Sequence, residues 1–154
     1  MSTPEERLAE LGIALPPVVP PLAAYVPAVR TGNLVYTSGQ LPMVDGRLPA
    51  SGKVGAEVTE QDAVGLARLC AVNALAAIQA ELGGELAGVR RVVKVVGFVA
   101  SAPGFTGQPG VVNGASELLG QVFGAAGRHA RSAVGVAVLP LDAPVEIELI
   151  VEVG

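Results

Sequence analysis

The segment that decides the fold reads Ala130-Arg131-Ser132-Ala133-Val134-Gly135-Val136, then Leu139-Pro140, then Val145-Glu146-Ile147-Glu148. The first run predicts an apolar strand over residues 132–138, with Arg131 immediately before its first residue. The last run predicts a second strand over residues 145–153, which carries two carboxylates. Alternate side chains of a strand share a face, so Arg131 shares its face with small residues only, and its guanidinium has room for a ligand.

Working outward from these strands, hydrophobic periodicity and turn signals predict the remaining elements. Their order is strand, strand, helix, strand, helix, strand, strand after a short first helix, which predicts an α+β fold with a mixed β-sheet and two helices packed on one face. We expect a single domain over residues 1–154. The elements are a capped helix over 3–11, strands over 33–37 and 40–43, a helix over 59–82, a strand over 89–99 and a helix over 109–123.

Composition limits what the chain can do. Hydrophobic residues make up 51% and charged residues only 16% of 154 residues, so we expect broad subunit interfaces to hide the excess apolar surface. A net charge of -4 and 3% aromatic residues disfavour nucleic-acid binding, which needs basic and stacking groups. One cysteine and one histidine cannot build a Cys/His zinc site. The polar start and the lack of a long apolar run predict a cytoplasmic protein without a membrane partner.

Residues 1–24 form an N-terminal helix followed by a proline-rich arm. Pro16, Pro17, Pro20 and Pro21 forbid helix and favour an extended chain. The arm is either a low-complexity linker or a segment that lies across a neighbouring subunit, and the sequence favours neither.

Arg131 and Glu146 are the leading candidates for chemistry. The planar guanidinium of Arg131 suits bidentate binding of a carboxylate, although position alone favours an ordinary strand-end arginine. Glu146 could hold a water molecule if adjacent antiparallel strands brought it to Arg131; the alternative is that Glu146 and Glu148 form a solvated strand face.

Four other residues carry weaker predictions. Ser38 precedes a glycine at a strand break, where turn structure is the ordinary role. Asn113 lies in the first turn of a helix, whose N-terminus attracts anions, or is simply exposed there. Tyr25 either packs in the arm or contacts a ligand. His129 has no partner spacing for a metal or a catalytic triad, which favours solvent or an interface.

Together these residues resemble the RidA/YjgF family of reactive-intermediate deaminases. Its C-terminal signature resembles the opening segment. Three other stretches agree in order, and the resemblance covers roughly residues 25–151. The stretches are Gly32-Asn33-Leu34-Val35-Tyr36-Thr37-Ser38-Gly39-Gln40, Val92-Val93-Lys94-Val95 and Val112-Asn113.

The resemblance implies a chorismate-mutase-like fold and a homotrimer with three clefts between subunits. It implies no cofactor and no metal. It assigns carboxylate binding to Arg131 and water handling to Glu146, with Ser38 as the third catalytic residue. The substrate-binding positions are Tyr25, Gly39, Asn113 and Ala133.

The chain departs from the family pattern at several places. Ala133 stands where many members have cysteine, and Arg128-His129 replaces a frequent Phe-Pro. The extra residues before Tyr25 and the longer loop over residues 104–108 resemble a longer subgroup, often labelled as endoribonucleases.

Three functions follow as hypotheses. The first is hydrolytic deamination of small 2-imino acids and their enamine tautomers to 2-keto acids and ammonia. The second is non-catalytic binding of small carboxylic acids in the same clefts. The third is RNA cleavage, which the acidic composition argues against.

Overall fold

The computed structural model describes residues 1–21 and 23–154; Leu22, within the predicted arm, lies outside the described residues. Five strands form one mixed sheet, and α2 and α3 pack on one of its faces, so the α+β prediction is confirmed. The elements are α1 Pro4–Glu10, β1 Ala28–Thr31, β2 Leu34–Thr37, α2 Glu60–Glu81, β3 Val89–Ala100, α3 Gln108–Phe123, β4 Ala130–Val136 and β5 Val145–Val153.

The strand order is β1-β2-β5-β3-β4, so the last strand of the chain lies in the middle of the sheet. β3 and β4 run parallel and are joined through α3, as a parallel pair requires a crossover. β5 then returns antiparallel between β3 and β2. The prediction that the last two strands could be adjacent is therefore wrong, because β3 separates them.

The first two strands differ from the prediction. They form the hairpin β1–β2 with Thr31 opposite Leu34, and Gly32 makes its turn at φ +58°. The stretch over residues 40–43 is not a strand: Gln40 makes an isolated bridge to Ile147. Pro42 explains the difference, because proline cannot donate a ladder hydrogen bond.

The helices begin and end within two residues of the prediction. Thr59 caps α2 by accepting a hydrogen bond from the Asp62 N–H, and Thr3 and Glu6 form the predicted capping box of α1. α2 is long and apolar enough to cross a bilayer, with a mean hydropathy of 1.5, contrary to expectation. However, 67% of its apolar window is buried inside the fold, as in a core helix.

The arm folds back on its own chain. Ile13, Leu15 and Val18 are half-buried and pack against the main core, so the arm is not a free linker. The arm, the turn over residues 43–46 and α2 together enclose a groove of about 430 Å³. An arm that also reaches a neighbouring subunit stays a prediction.

Candidate active site

Arg131 lies on the helix-covered side of the sheet. It is the second residue of β4, paired with Val95, which in turn pairs with Leu149, and both of these are buried in the core. Its Nη1 donates to Asn113 Oδ1 at 2.7 Å and to Ser116 Oγ at 3.1 Å, and its Nη2 donates to the Pro109 carbonyl at 3.0 Å. Two predicted site residues, Arg131 and Asn113, are thus in direct contact.

These hydrogen bonds fix the guanidinium in place. Arginine has five N–H donors, and three of them are used within the part of the chain that the structure describes. Two donors remain, which is the number that a bidentate carboxylate takes.

A second layer supports the arginine, and sequence reasoning missed it. Ser116 Oγ lies 2.8 Å from His129 Nε2, and His129 Nδ1 lies 2.6 Å from the Gly127 carbonyl oxygen. His129 is half-buried and hydrogen-bonded on both ring nitrogens, so it is not a freely solvated side chain; the alternative of an interface role stays a prediction. The signal was spacing: Asn113 and Ser116 are neighbours on one helix face, and positions 129 and 131 alternate like residues on one strand face. We call Arg131, Asn113, Ser116 and His129 the arginine half-site.

Glu146 lies on the opposite, open face of the sheet. Along β5 the odd-numbered residues are buried and the even-numbered ones, Glu146 included, are half-buried. A Cβ atom added to Gly39 would come within 2.5 Å of Glu146 Oε2, so the carboxylate rests on the glycine backbone. Burial raises the pKa of Glu146 above its usual range, and the nearby charge of Glu148 raises it further.

Ser38 precedes Gly39 in the chain, and Tyr25 lies in the arm. The Ser38 hydroxyl donates to the Val26 carbonyl at 2.6 Å, so its proton is engaged in holding the arm. Tyr25 is 46% exposed and lines a small cavity together with Gly39. We call Tyr25, Ser38, Gly39 and Glu146 the glutamate half-site.

The two half-sites do not meet within one chain. Arg131 and Glu146 are separated by one intervening strand and three residue rows, which is about 10 Å across the sheet and about 10 Å along it. Their side chains also lie on opposite faces. The idea that neighbouring strands bring them together is therefore wrong.

Two other positions offer no side-chain chemistry to a ligand. The side chain of Ala133 packs against the core, so a ligand could reach only its backbone. Cys70 is buried and its thiol donates to the Val145 carbonyl at 3.6 Å. Burial, and secondarily the charge of Glu146, raises the pKa of this thiol, which keeps it unreactive.

No group of three metal-ligating side chains occurs among the described residues.

The fold and these half-sites define an α+β protein of the chorismate-mutase-like kind. Residues 5–153 match the family described as "YjgF/chorismate mutase-like, putative endoribonuclease". The chain therefore belongs to the YjgF/RidA family.

Individual proteins are similar to this chain over most of its length. Protein TCP17 of Trypanosoma cruzi is 46% identical over 96% of this chain and 92% of its own length. The crystal structure of the protein Atu1372 of unknown function from Agrobacterium tumefaciens is 51% identical, with a TM-score of 0.92 over 99% of this chain and 94% of that chain. Escherichia coli TdcF, solved with bound serine, is 28% identical, with a TM-score of 0.60 over 91% and 94% of the two chains.

Proposed function

We propose that the protein is a cofactor-free hydrolase that converts small 2-imino acids and their enamine tautomers to 2-keto acids and ammonia. The observation that carries this proposal is the Arg131 guanidinium, held by three hydrogen bonds with two donors left for a ligand. The serine bound to TdcF also bears a carboxylate, which supports a carboxylate ligand for this chain.

The reaction needs one water molecule and two successive proton transfers to nitrogen. Arg131 binds the carboxylate of the imine and orients its carbon. Glu146 accepts a proton from water as the oxygen attacks that carbon and gives this proton to the imine nitrogen, which forms a carbinolamine. Glu146 then takes the proton of the carbinolamine hydroxyl and gives it to the nitrogen as the C–N bond breaks, so that imine and water become keto acid and ammonia. The raised pKa of Glu146 suits this exchange, since a general base works best near the working pH.

The active site in this proposal lies between two subunits of a homotrimer. Arg131 and Glu146 lie on opposite faces of one sheet, so a substrate that touches both must bridge two copies. The open sheet face also carries exposed apolar side chains that a neighbouring copy would cover. These are Val29 at 52%, Tyr36 at 43% and Val134 at 43% exposure.

The proposal is tested with 2-iminopropanoate and 2-iminobutanoate generated in the assay. We expect the Arg131→Ala variant to lose most of its kcat/KM, at least about a hundredfold, because it lacks the carboxylate clamp. Arg131→Lys keeps the charge but not the planar fork, and we expect it to recover little. Full activity in Arg131→Ala would rule out the mechanism.

A second candidate is a binder of small carboxylic acids that does not turn them over, which the serine-bound relative favours. Calorimetric binding of 2-oxobutanoate by a protein that hydrolyses no imine would select this candidate. The endoribonuclease wording of the family description suggests RNA, but a net charge of -4 disfavours a polyanion. RNA cleavage that disappears in Arg131→Ala would support the endoribonuclease function.

A further inference from the structure

A chain of hydrogen bonds runs from the Arg131 guanidinium to a backbone carbonyl. Arg131 Nη1 lies 3.1 Å from Ser116 Oγ, Ser116 Oγ lies 2.8 Å from His129 Nε2, and His129 Nδ1 lies 2.6 Å from the Gly127 oxygen. All three side chains are half-buried. His129 is also the single histidine of the sequence, so its state can be measured without ambiguity.

The direction of each bond follows from what each group can do. The Gly127 carbonyl can only accept, so His129 Nδ1 carries a proton and donates it. In the neutral imidazole Nε2 is then an acceptor, and the Ser116 hydroxyl donates to it. A guanidinium can only donate, so a lone pair of Ser116 Oγ faces Arg131.

From these directions we propose that His129 is a positioning residue, which acts through Ser116 to fix Arg131 for carboxylate binding. This inference rests on the proposed function for its ligand class. A serine hydroxyl rotates freely unless an acceptor takes its proton. By taking it, His129 turns the Ser116 lone pair toward the guanidinium and keeps the arginine on α3.

A serine beside a histidine is also the arrangement of a nucleophile and its base. Here one of the two lone pairs of Ser116 Oγ accepts a hydrogen bond from the positively charged Arg131, which makes the oxygen a weaker nucleophile. Positioning is therefore the role that accounts for all three hydrogen bonds between Arg131 and the Gly127 carbonyl. Covalent labelling of Ser116 by a fluorophosphonate probe would overturn it.

Two substitutions at one position separate the two bonds of the imidazole. His129→Gln places an amide oxygen near the former Nε2, where it can accept from Ser116. His129→Asn places an amide nitrogen near the former Nδ1, where it can donate to the Gly127 carbonyl but ends short of Ser116. If His129 only braced the Gly127 turn, Asn would be the better replacement.

The measurement is calorimetric binding of 2-oxobutanoate to the full-length protein. We expect the dissociation constant to rise about tenfold in His129→Asn and in Ser116→Ala, the effect of one hydrogen bond to a charged group. His129→Gln should bind within about threefold of the wild type. The double variant Ser116→Ala/His129→Asn should be no weaker than either single variant, because both remove the same link.

Nitrogen NMR of the imidazole gives a readout that requires no ligand. We expect the neutral ring to carry its proton on Nδ1. A proton on Nε2 instead, or equal binding by the Asn and Gln variants, would overturn the inference.

Binding and turnover separate the failures of the two proposals. If the wild type and the variants bind 2-oxobutanoate in the expected order of affinity, but the wild type hydrolyses no imine, the deaminase function is contradicted and the positioning role is supported. If the wild type hydrolyses imines and needs Arg131 to do so, but His129→Asn and His129→Gln bind 2-oxobutanoate equally well, the positioning role alone is contradicted. A wild type that binds no carboxylate would overturn both.

Discussion

At the scale of single residues, the molecule keeps its two strongest charged candidates in different environments. Arg131 is held by three hydrogen bonds to α3. Glu146 instead rests against Gly39 and next to Glu148, where its ionised form is poorly solvated. The arginine is stabilised as an ion and the glutamate is not, so we expect opposite effects on stability when each is neutralised.

Removing the charge of Glu146 should stabilise the fold at neutral pH. Its pKa is raised in the folded chain, so the folded state favours the protonated carboxyl. The contribution of Glu146 to the free energy of unfolding is fully present below the usual pKa of glutamate and is lost as the pH rises through the raised pKa. We expect Glu146→Gln to melt higher than the wild type at pH 7–8, with the difference vanishing below about pH 4.

Thermal unfolding across pH measures this effect. We expect the stabilisation by Glu146→Gln to be smaller, but still present, when it is measured in a Glu148→Gln background. The reason is that burial is the larger cause of the raised pKa of Glu146 and the charge of Glu148 is the smaller one. Glu146→Gln should also lose imine hydrolysis while it gains stability. A lower melting temperature for Glu146→Gln at pH 8 would contradict the assigned environment of the carboxyl.

Gly39 should matter for activity more than for folding. A Cβ at this position meets the flexible end of Glu146, at 2.5 Å from Oε2, and Gly39 has no left-handed φ. Gly39→Ala should therefore displace the carboxylate and reduce kcat by about tenfold to a hundredfold. The free energy of unfolding should change by less than about 1 kcal/mol.

Gly97→Ala is the matched control for this prediction. Its added Cβ would collide with Val112 and would lie 3.2 Å from Ile147 Cδ1, both in the core. We expect a loss of about 1–3 kcal/mol in the free energy of unfolding from overpacking. Equal stability losses in the two variants, by denaturant titration, would show that Gly39 is a packing glycine.

At the scale of elements, the sequence predicts the helices well because their signals are local. Thr59 as a cap and an apolar run to Leu82 define α2 without tertiary information. Arg131 and Glu146 were also recognisable as candidates from their strands. What could not be predicted was the order of strands, since pairing β5 between β2 and β3 depends on contacts far apart in sequence. Ser116 and His129 were missed although their spacing from Asn113 and Arg131 is local, because the packing of α3 against β4 is what brings the two pairs together.

The α2–α3 contact provides a test at this scale. A Cβ on Gly114 would collide with the Val64 backbone carbonyl of α2, and backbone cannot move aside cheaply. Gly114→Ala should therefore lower the free energy of unfolding by about 2–3 kcal/mol. Gly120 on the same helix has nothing within 4 Å of an added Cβ, so Gly120→Ala should raise stability by about 0.5–1 kcal/mol.

These two variants differ only in where the methyl group points. Chemical denaturation of both should give changes of opposite sign. Equal changes would mean that helix propensity, rather than the approach of α3 to α2, decides stability at these positions.

At the scale of the whole molecule, the proposed function would make activity depend on assembly, because the two half-sites lie on opposite faces of one sheet. Arg131 lies on the helix-covered side of the edge strand β4, and Glu146 lies on the open face of the central strand β5. The family likeness and the low charge content of 16% agree with a protein that buries one sheet face against copies of itself.

Mixing two inactive variants tests this arrangement. Arg131→Ala and Glu146→Gln, unfolded together and refolded at equal amounts, should recover about a quarter of the wild-type imine hydrolysis. In a cyclic trimer each interface has about that chance of combining an intact arginine with an intact glutamate. Either variant refolded alone is the control. No recovery in mixed oligomers would mean that both groups act from one subunit.

The central position of β5 has a consequence for how the protein is made. The hairpin β1–β2 and the unit β3–α3–β4 share no strand pairing except through β5, which follows both in the chain. The arginine half-site spans only residues 113–131 and can form within the unit β3–α3–β4. The glutamate half-site cannot form until β5 has been synthesised, because Glu146 belongs to β5. During synthesis the inner edges of β2 and β3 therefore stay open until β5 has left the ribosome, and that interval is when the nascent chain is most exposed to aggregation.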